Sequence, residues 1–226
     1  MNILKFIDYA KEKGISSIQV LTTKGTRQSI KIYHKDVERF LVADSQSLIA
    51  MGIYNGRLGG ATTEKLDNST YDFLIEGIKE SASISENKDF LDFFKGSEKY
   101  KKRSLYSKEL DAWKSEDIVG LLKSIEQKLL AYDKRITDVS SVSFQRVDAE
   151  TDLFNSYGLK LKQKSNYFFI AAGIVAKEGT ETKTGYNLYL DCDPKKFDEE
   201  KFVKETAEEA LKKFGAVQCE SKKYPT

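Results

Sequence analysis

The sequence predicts an α+β fold, with antiparallel sheets covered by helices on one side as two-layer sandwiches in two sub-domains. Three observations predict it. Apolar stripes of helical period flank runs of period-two strand pattern, and this order of helix, strands and helix occurs in both halves of the chain. Glycine and Asx residues punctuate the strand runs at hairpin-like intervals. No apolar run approaches the ~20 residues that cross a bilayer.

Ile3, Phe6, Ile7 and Ala10 line one face of a first short helix, stopped by Gly14. Ile18, Val20 and Thr22 then alternate, as do Ile30 with Ile32 and Phe40 with Val42, so three or four antiparallel strands are expected before residue 64. Gly25, Asp36 and the pair Asp44–Ser45 read as their turns, and Asn55–Gly56 favours a type I′ hairpin, because both residues tolerate positive φ. Asn68 or Ser69 can cap a helix carrying Tyr71, Leu74, Ile78 and Ala82. This completes a first sub-domain over residues 1–86.

Residues 87–114 are rich in Ser, Lys and Glu, carry aromatics such as Phe90, Phe93, Phe94 and Trp113 that read as exposed, and show no sustained period. They read as a connector. The second sub-domain, residues 115–226, opens with a helix capped by Ser115, with Glu116 and Asp117 in its first turn and an apolar stripe of Ile118, Leu121, Leu122, Ile125, Leu129 and Tyr132. Strands are expected near 136–147, 149–156, 158–176 and 183–190, with Tyr167 to Val175 apolar enough to be covered on both faces. Asn155 to Gly158 forms a turn between two of them. Asp198 caps a last helix ended by Gly215, and Val217 to Cys219 reads as a final short strand.

Composition narrows the function. Of 226 residues 40% are hydrophobic and 32% charged, with a net charge of +2, so no global field draws the chain to nucleic acid or anionic membrane. The amino terminus lacks the basic and apolar regions of a secretory signal, and the expected compartment is the cytoplasm. Two distant cysteines, Cys192 and Cys219, suit cytosolic thiols rather than a disulfide frame. The one basic cluster, Lys95, Lys99, Lys101, Lys102, Arg103 and Lys108, is interleaved with Tyr100 and Tyr106. A solvated connector accounts for it better than single-strand binding, and no nucleic-acid partner is expected.

No catalytic constellation emerges. The sole histidine, His34, sits in a turn-like Tyr33–His34–Lys35–Asp36 run and reads as solvated rather than as a ligand or base. Gly52 to Gly60 lacks the Lys-Ser/Thr of a phosphate loop, and the pairs Asp148/Glu150 and Asp191/Asp193 have no further ligands nearby in sequence. Catalytic residues and metal ligands are therefore predicted to be none.

Taken together, several segments resemble the TldD/PmbA family. Leu48 to Thr63, with Asn55, Gly56, Gly59 and Thr63, followed by Asp67–Asn68–Ser69, fits that family's strand, turn, strand and helix. Asp133–Lys134–Arg135–Ile136 and the turn Asn155, Ser156, Gly158 fit its second series of strands, and Asp191 to Pro225 its closing segment. The resemblance lies closer to the non-catalytic PmbA (TldE) subunit, whose older label is modulator of DNA gyrase. It implies the amino-terminal region of a subunit in a metallopeptidase assembly for peptide maturation and proteolysis, helping to form a peptide-holding chamber. Implied partners are a TldD-type subunit or a second copy, and an extended peptide. The family's zinc helix, His-Glu-x-x-x-His, is expected beyond Thr226, so zinc would belong to a TldD-type partner and this chain would be inactive alone. The rival reading is a stand-alone protein-interaction module with no part in proteolysis.

Overall fold

The computed structural model describes residues 1–86, 92–101, 103–218 and 220–223. The α+β class holds: among the described residues five α-helices accompany one six-stranded antiparallel sheet in the order β3-β2-β1-β4-β5-β6. The elements are α1 (Ile3–Glu12), β1 (Ser17–Tyr33), β2 (Asp36–Tyr54), β3 (Arg57–Thr63), α2 (Tyr71–Ile84), α3 (Lys108–Asp111), α4 (Ser115–Tyr132), β4 (Ile136–Asn155), β5 (Lys160–Glu178), β6 (Glu181–Asp191) and α5 (Glu199–Leu211).

The chain forms two compact units, neither of which is one run of sequence. The first holds Met1–Arg27, Val42–Ser107 and Val147–Asn166. The second holds Gln28–Leu41, Lys108–Arg146 and the chain from Tyr167 onward. Each has its own core. In the first, Phe6, Ile7 and Ala10 of α1 meet Ile18 and Val20 of β1, Leu48 and Ala50 of β2, and Leu74, Ile75 and Ile78 of α2. In the second, Ile118, Leu122, Ile125 and Leu129 of α4 meet Ile30 and Ile32, Val139, Val142 and Phe144, and Phe168, Ile170 and Ile174, with Val203, Ala207 and Ala210 of α5 beside them. Trp113 stands edge-on to Phe144 and Phe168, with ring centroids 5.6 and 5.3 Å away.

Two glycines let helices touch edge strands. A Cβ on Gly59 of β3 would lie 2.0 Å from the Ile78 carbonyl oxygen, and one on Gly185 of β6 would lie 2.8 Å from that of Thr206. The backbones of α2 and α5 thus rest directly on their strands.

Two of the tight hairpins follow the sequence. Asn55 and Gly56 have φ of +50° and +73° between paired Tyr54 and Arg57, and His34 and Lys35 have +49° and +68° between β1 and β2. Other turn assignments are corrected. Gly25 lies inside β1, where its missing Cβ admits the Asp148 carbonyl oxygen, 2.7 Å from the position a Cβ would take. Asp44 and Ser45 lie inside β2, and Asp44 accepts a hydrogen bond from Thr26 Oγ1 at 2.6 Å across the ladder. The break expected between 147 and 149 is absent, and β4 runs on to Asn155.

Helix starts shift by a residue or two, as helix boundaries do. Asp67, not Asn68 or Ser69, accepts the capping bond from Ser69 N, and α2 follows that short turn. Lys114 occupies the cap of α4, because the Ser115 hydroxyl is held by Gln28 Nε2 at 2.8 Å. Asp198 caps α5 as expected, accepting from Lys201 N. Phe93 is buried and Trp113 packs on the core, contrary to the exposed reading, whereas Phe94 is exposed and Phe90 lies outside the described residues. Phe40 and Val42 alternate in sequence yet are both exposed. Val217 and Gln218 form no strand, and Cys219 lies outside the described residues.

Truncating the α4 stripe by Leu122→Ala should lower unfolding stability by about 2–5 kcal/mol, measured by urea denaturation. Gly185→Ala should lower it by about 1–3 kcal/mol by prying α5 from β6, and an unchanged midpoint would contradict the close contact.

Candidate functional site

The residues singled out in the sequence fall at structural junctions. Asn155, buried at the end of β4, uses every polar atom of its amide. Its Oδ1 accepts from Tyr157 N at 2.9 Å and Leu159 N at 3.1 Å, while its Nδ2 donates to the Phe94 carbonyl at 2.7 Å. Ser156 pairs with β1 in both directions: its N–H donates to the Ile18 carbonyl at 2.8 Å, and its Oγ accepts from Ile18 N at 3.1 Å. Gly158 closes the turn at φ +87°. One short turn therefore ties together β4, β1 and the connector.

The connector is held at further points. The Tyr157 hydroxyl donates to Asp92, whose other oxygen accepts from Ser17 Oγ at 3.1 Å. The Tyr157 bond holds the Asp92 carboxyl below its ordinary range, and Asp92 in turn pushes the Tyr157 phenol up. Asn166 clamps the other end, with Oδ1 accepting from Ser107 N at 2.7 Å and Nδ2 donating to the Ser107 carbonyl at 2.9 Å.

The Asp133–Arg135 run clamps the start of β4. Asp133 accepts from the Arg135 main-chain N–H, Nε and Nη2 at 2.9, 3.0 and 2.9 Å. The guanidinium lies over the Phe214 ring, and the Arg135 carbonyl accepts from Lys177 N at 2.7 Å. The Arg135 hydrogen bonds pull the Asp133 carboxyl down to about 2.

The remaining candidates are spent locally. Asp191 accepts from Cys192 N and Asp193 N, and Asp193 accepts from Lys195 N, so this pair caps a turn. Glu150 pairs with Lys164 at 3.7 Å. Exposed His34 stacks on Tyr33 and lies 3.3 Å from Asp138. Within the basic cluster, Lys95 sits over the Tyr157 ring and Tyr100 accepts from Ser97 N, while Lys102 lies outside the described residues.

Sequence reasoning missed two features. Glu126 on α4 is buried, and its Oε2 accepts from Lys35 N at 2.7 Å, holding the β1–β2 turn, while Oε1 has no hydrogen-bond partner among the described residues. Its signal was a carboxylate set between Leu122, Ile125 and Leu129 on the apolar stripe. A cleft of about 510 Å³ in the first unit is lined by Met1, Leu4, Leu66 and Phe154, with Asp152 among them. Its walls come from segments far apart in sequence, which no local pattern marks.

Among the described residues no three His, Cys, Asp or Glu side chains gather to hold a metal ion, and neither exposed His34 nor exposed Cys192 has a second donor of its kind beside it. Nor is any helix of the described residues long and apolar enough to cross a membrane.

Comparison with known proteins places the fold. Residues 108–214 match the model of the PmbA/TldA metallopeptidase central domain. That stretch is similar to the family's central domain and makes up a little under half of the chain. A Bacteroides thetaiotaomicron protein described as a modulator of DNA gyrase superposes with a TM-score of 0.84 at 19% identity, over 96% of this chain and 50% of that one. A Thermotoga maritima protein of the same description gives 0.79 at 18% identity, over 96% and 49%. TldE from Thermococcus kodakarensis gives 0.78 at 17%, over 91% and 46%. At such identities the likeness is one of fold. The chain spans about half the length of each of these structures. None of the curated proteins compared matches it.

Asn155→Ala should strand two N–H groups and the Phe94 carbonyl, at a cost of about 1–3 kcal/mol. Trypsin should then cut faster after Lys95 and Lys99, and an unchanged digestion pattern would refute the clamp. The Asp133 carboxyl, lowered in the folded chain, contributes stability that is complete above its ordinary 3.8 and lost as pH falls through about 2. Carboxyl NMR titration should place it near about 2, and Arg135→Ala should return it toward 3.8.

Proposed function

We propose that this chain is the non-catalytic amino-terminal region of a PmbA/TldE-like subunit in a TldD/PmbA metallopeptidase assembly. The observation that carries the reading is the match of residues 108–214 to the PmbA/TldA central domain. Its role is to form part of the wall of a chamber that holds an extended peptide, and to contact a second subunit. An extended peptide is recognised through main-chain hydrogen bonds to a strand edge, with alternate side chains in shallow pockets, so the wall needs no reactive side chain. The residues that resemble family motifs fit that role. Asn155, Ser156, Asp133 and Arg135 bond to the chain's own backbone and so hold strands in register. Hydrolysis is assigned to a metal-bearing TldD-type partner, where a zinc ion would activate water.

Peptide hydrolysis by the purified chain, with or without added zinc, should be absent, and elemental analysis should find no stoichiometric zinc. Adding a TldD-type subunit should yield a stable complex that cleaves an unstructured peptide. Hydrolysis by the chain alone that survives a chelator would overturn the proposal, as would a failure of the two subunits to associate.

A further inference from the structure

The cleft of the first unit opens where the apolar face of β1 gives way to polar residues. Ile18 and Val20 are buried in the first core, whereas Thr22 and Lys24, next on the same face, line the cleft. Asp152 and Phe154 line it from the neighbouring strand β4, and Leu4 and Leu66 wall it. Two contacts fix the register of these strands. Ser156 N donates to the Ile18 carbonyl, and a Cβ on Gly25 would lie 3.7 Å from Ala149 Cα. Antiparallel pairing in that register sets Thr22 opposite Asp152, with Lys24 one diagonal step away, about 7–8 Å. The charged groups here are incompletely satisfied. Asp152 Oδ2 lies 3.5 Å from the ammonium of exposed Lys162, but Oδ1 is buried with no hydrogen-bond partner among the described residues. Exposed Lys24 has no ion pair or hydrogen bond among the described residues. A buried acceptor without a donor is costly, and a ligand donor would relieve it.

We propose that this cleft binds a free α-amino acid with an apolar side chain. Its volume, about 510 Å³, lies within the range of small-molecule sites. The two charges select a zwitterion. A simple amine would meet the Lys24 ammonium, and a simple acid would meet the Asp152 carboxylate. An α-amino acid carries both charges on one carbon, so it bridges the diagonal step with a charge-assisted hydrogen bond at each end. Its ammonium donates to the Asp152 carboxylate, supplying the donor that Oδ1 lacks. Its carboxylate accepts from Lys24 Nζ, and the Thr22 hydroxyl stands between the two. The ligand's side chain then lies against exposed Leu4 and against Leu66 and Phe154, which pack on the first core. A dipeptide holds its two charges further apart than this step.

The site needs no second subunit, so its test is independent of the subunit reading above. Titration calorimetry of the 226-residue chain with L-phenylalanine should show one saturable site with a Kd of about 1 mM or tighter. N-acetyl-L-phenylalanine lacks the ammonium and L-phenylalaninamide the carboxylate, and each should bind about tenfold more weakly or worse. The dipeptide Phe-Phe should do the same. Asp152→Asn and Lys24→Met should each weaken L-phenylalanine binding by about tenfold or more. Lys24 is exposed, so Lys24→Met should leave the thermal midpoint of the unliganded chain unchanged and serves as the variant free of folding effects. In NMR spectra the backbone amides of Thr22 and Asp152 should shift on adding the amino acid. Absence of saturable binding, affinity indifferent to Lys24→Met, or shifts confined to other residues would overturn the proposal. Tighter binding of the dipeptide would overturn the assignment to a free amino acid.

Discussion

Four strands of 17, 19, 20 and 19 residues pass through both compact units, and the rest of the structure follows from that constraint. β1, β2 and β4 bury side chains only in short stretches, whereas β5 is buried almost throughout from Phe168 to Ala176. In β1 these are Ile18 with Val20 and, further on, Ile30 with Ile32, which belong to different cores. Between them the strand carries polar and half-buried residues, and its continuity depends on ladder hydrogen bonds rather than on apolar burial. Helices supply what the sheet cannot, covering one face of each unit with α1 and α2 or with α4 and α5.

The order of elements repeats. α1, three strands and α2 are followed by α4, three strands and α5, and the sheet order runs outward from β1 and β4 to β3 and β6. In each set the third strand carries a glycine, Gly59 or Gly185, against which the next helix lies in backbone contact. The outermost strands differ. Arg57 in β3 donates to the Ser83 carbonyl of α2, whereas the outer face of β6 presents Tyr186, Leu188 and Leu190. The exposed stripe thus marks one end of the sheet and not the other.

Motifs that looked like signatures prove to be joints. Asn155 holds the connector and Ser156 holds β1, while Asp133 and Arg135 fasten β4 to the end of β5. A residue type kept for a joint is chosen for its hydrogen-bonding geometry, so an Asn with three satisfied bonds says nothing of chemistry.

The sequence by itself determined the α+β class, the helices α1, α2, α4 and α5 with most of their buried stripes, and the hairpins at His34–Lys35 and Asn55–Gly56, whereas α3 fell in the expected connector and Tyr132 of the α4 stripe is exposed. Those signals are local: helical period, a capping carboxylate such as Asp198, or two residues that both accept positive φ. Tertiary structure decided the rest. Gly25 and Asp44 carry turn chemistry in isolation, but a carbonyl from β4 fills the space beside Gly25, and Thr26 satisfies Asp44 across the ladder. Ser115 could cap a helix until Gln28 claims its hydroxyl, and Trp113 looks solvated until Phe144 and Phe168 stand beside it. The open edge of β6 was equally invisible. Each depends on partners tens of residues away, which no window along the chain contains.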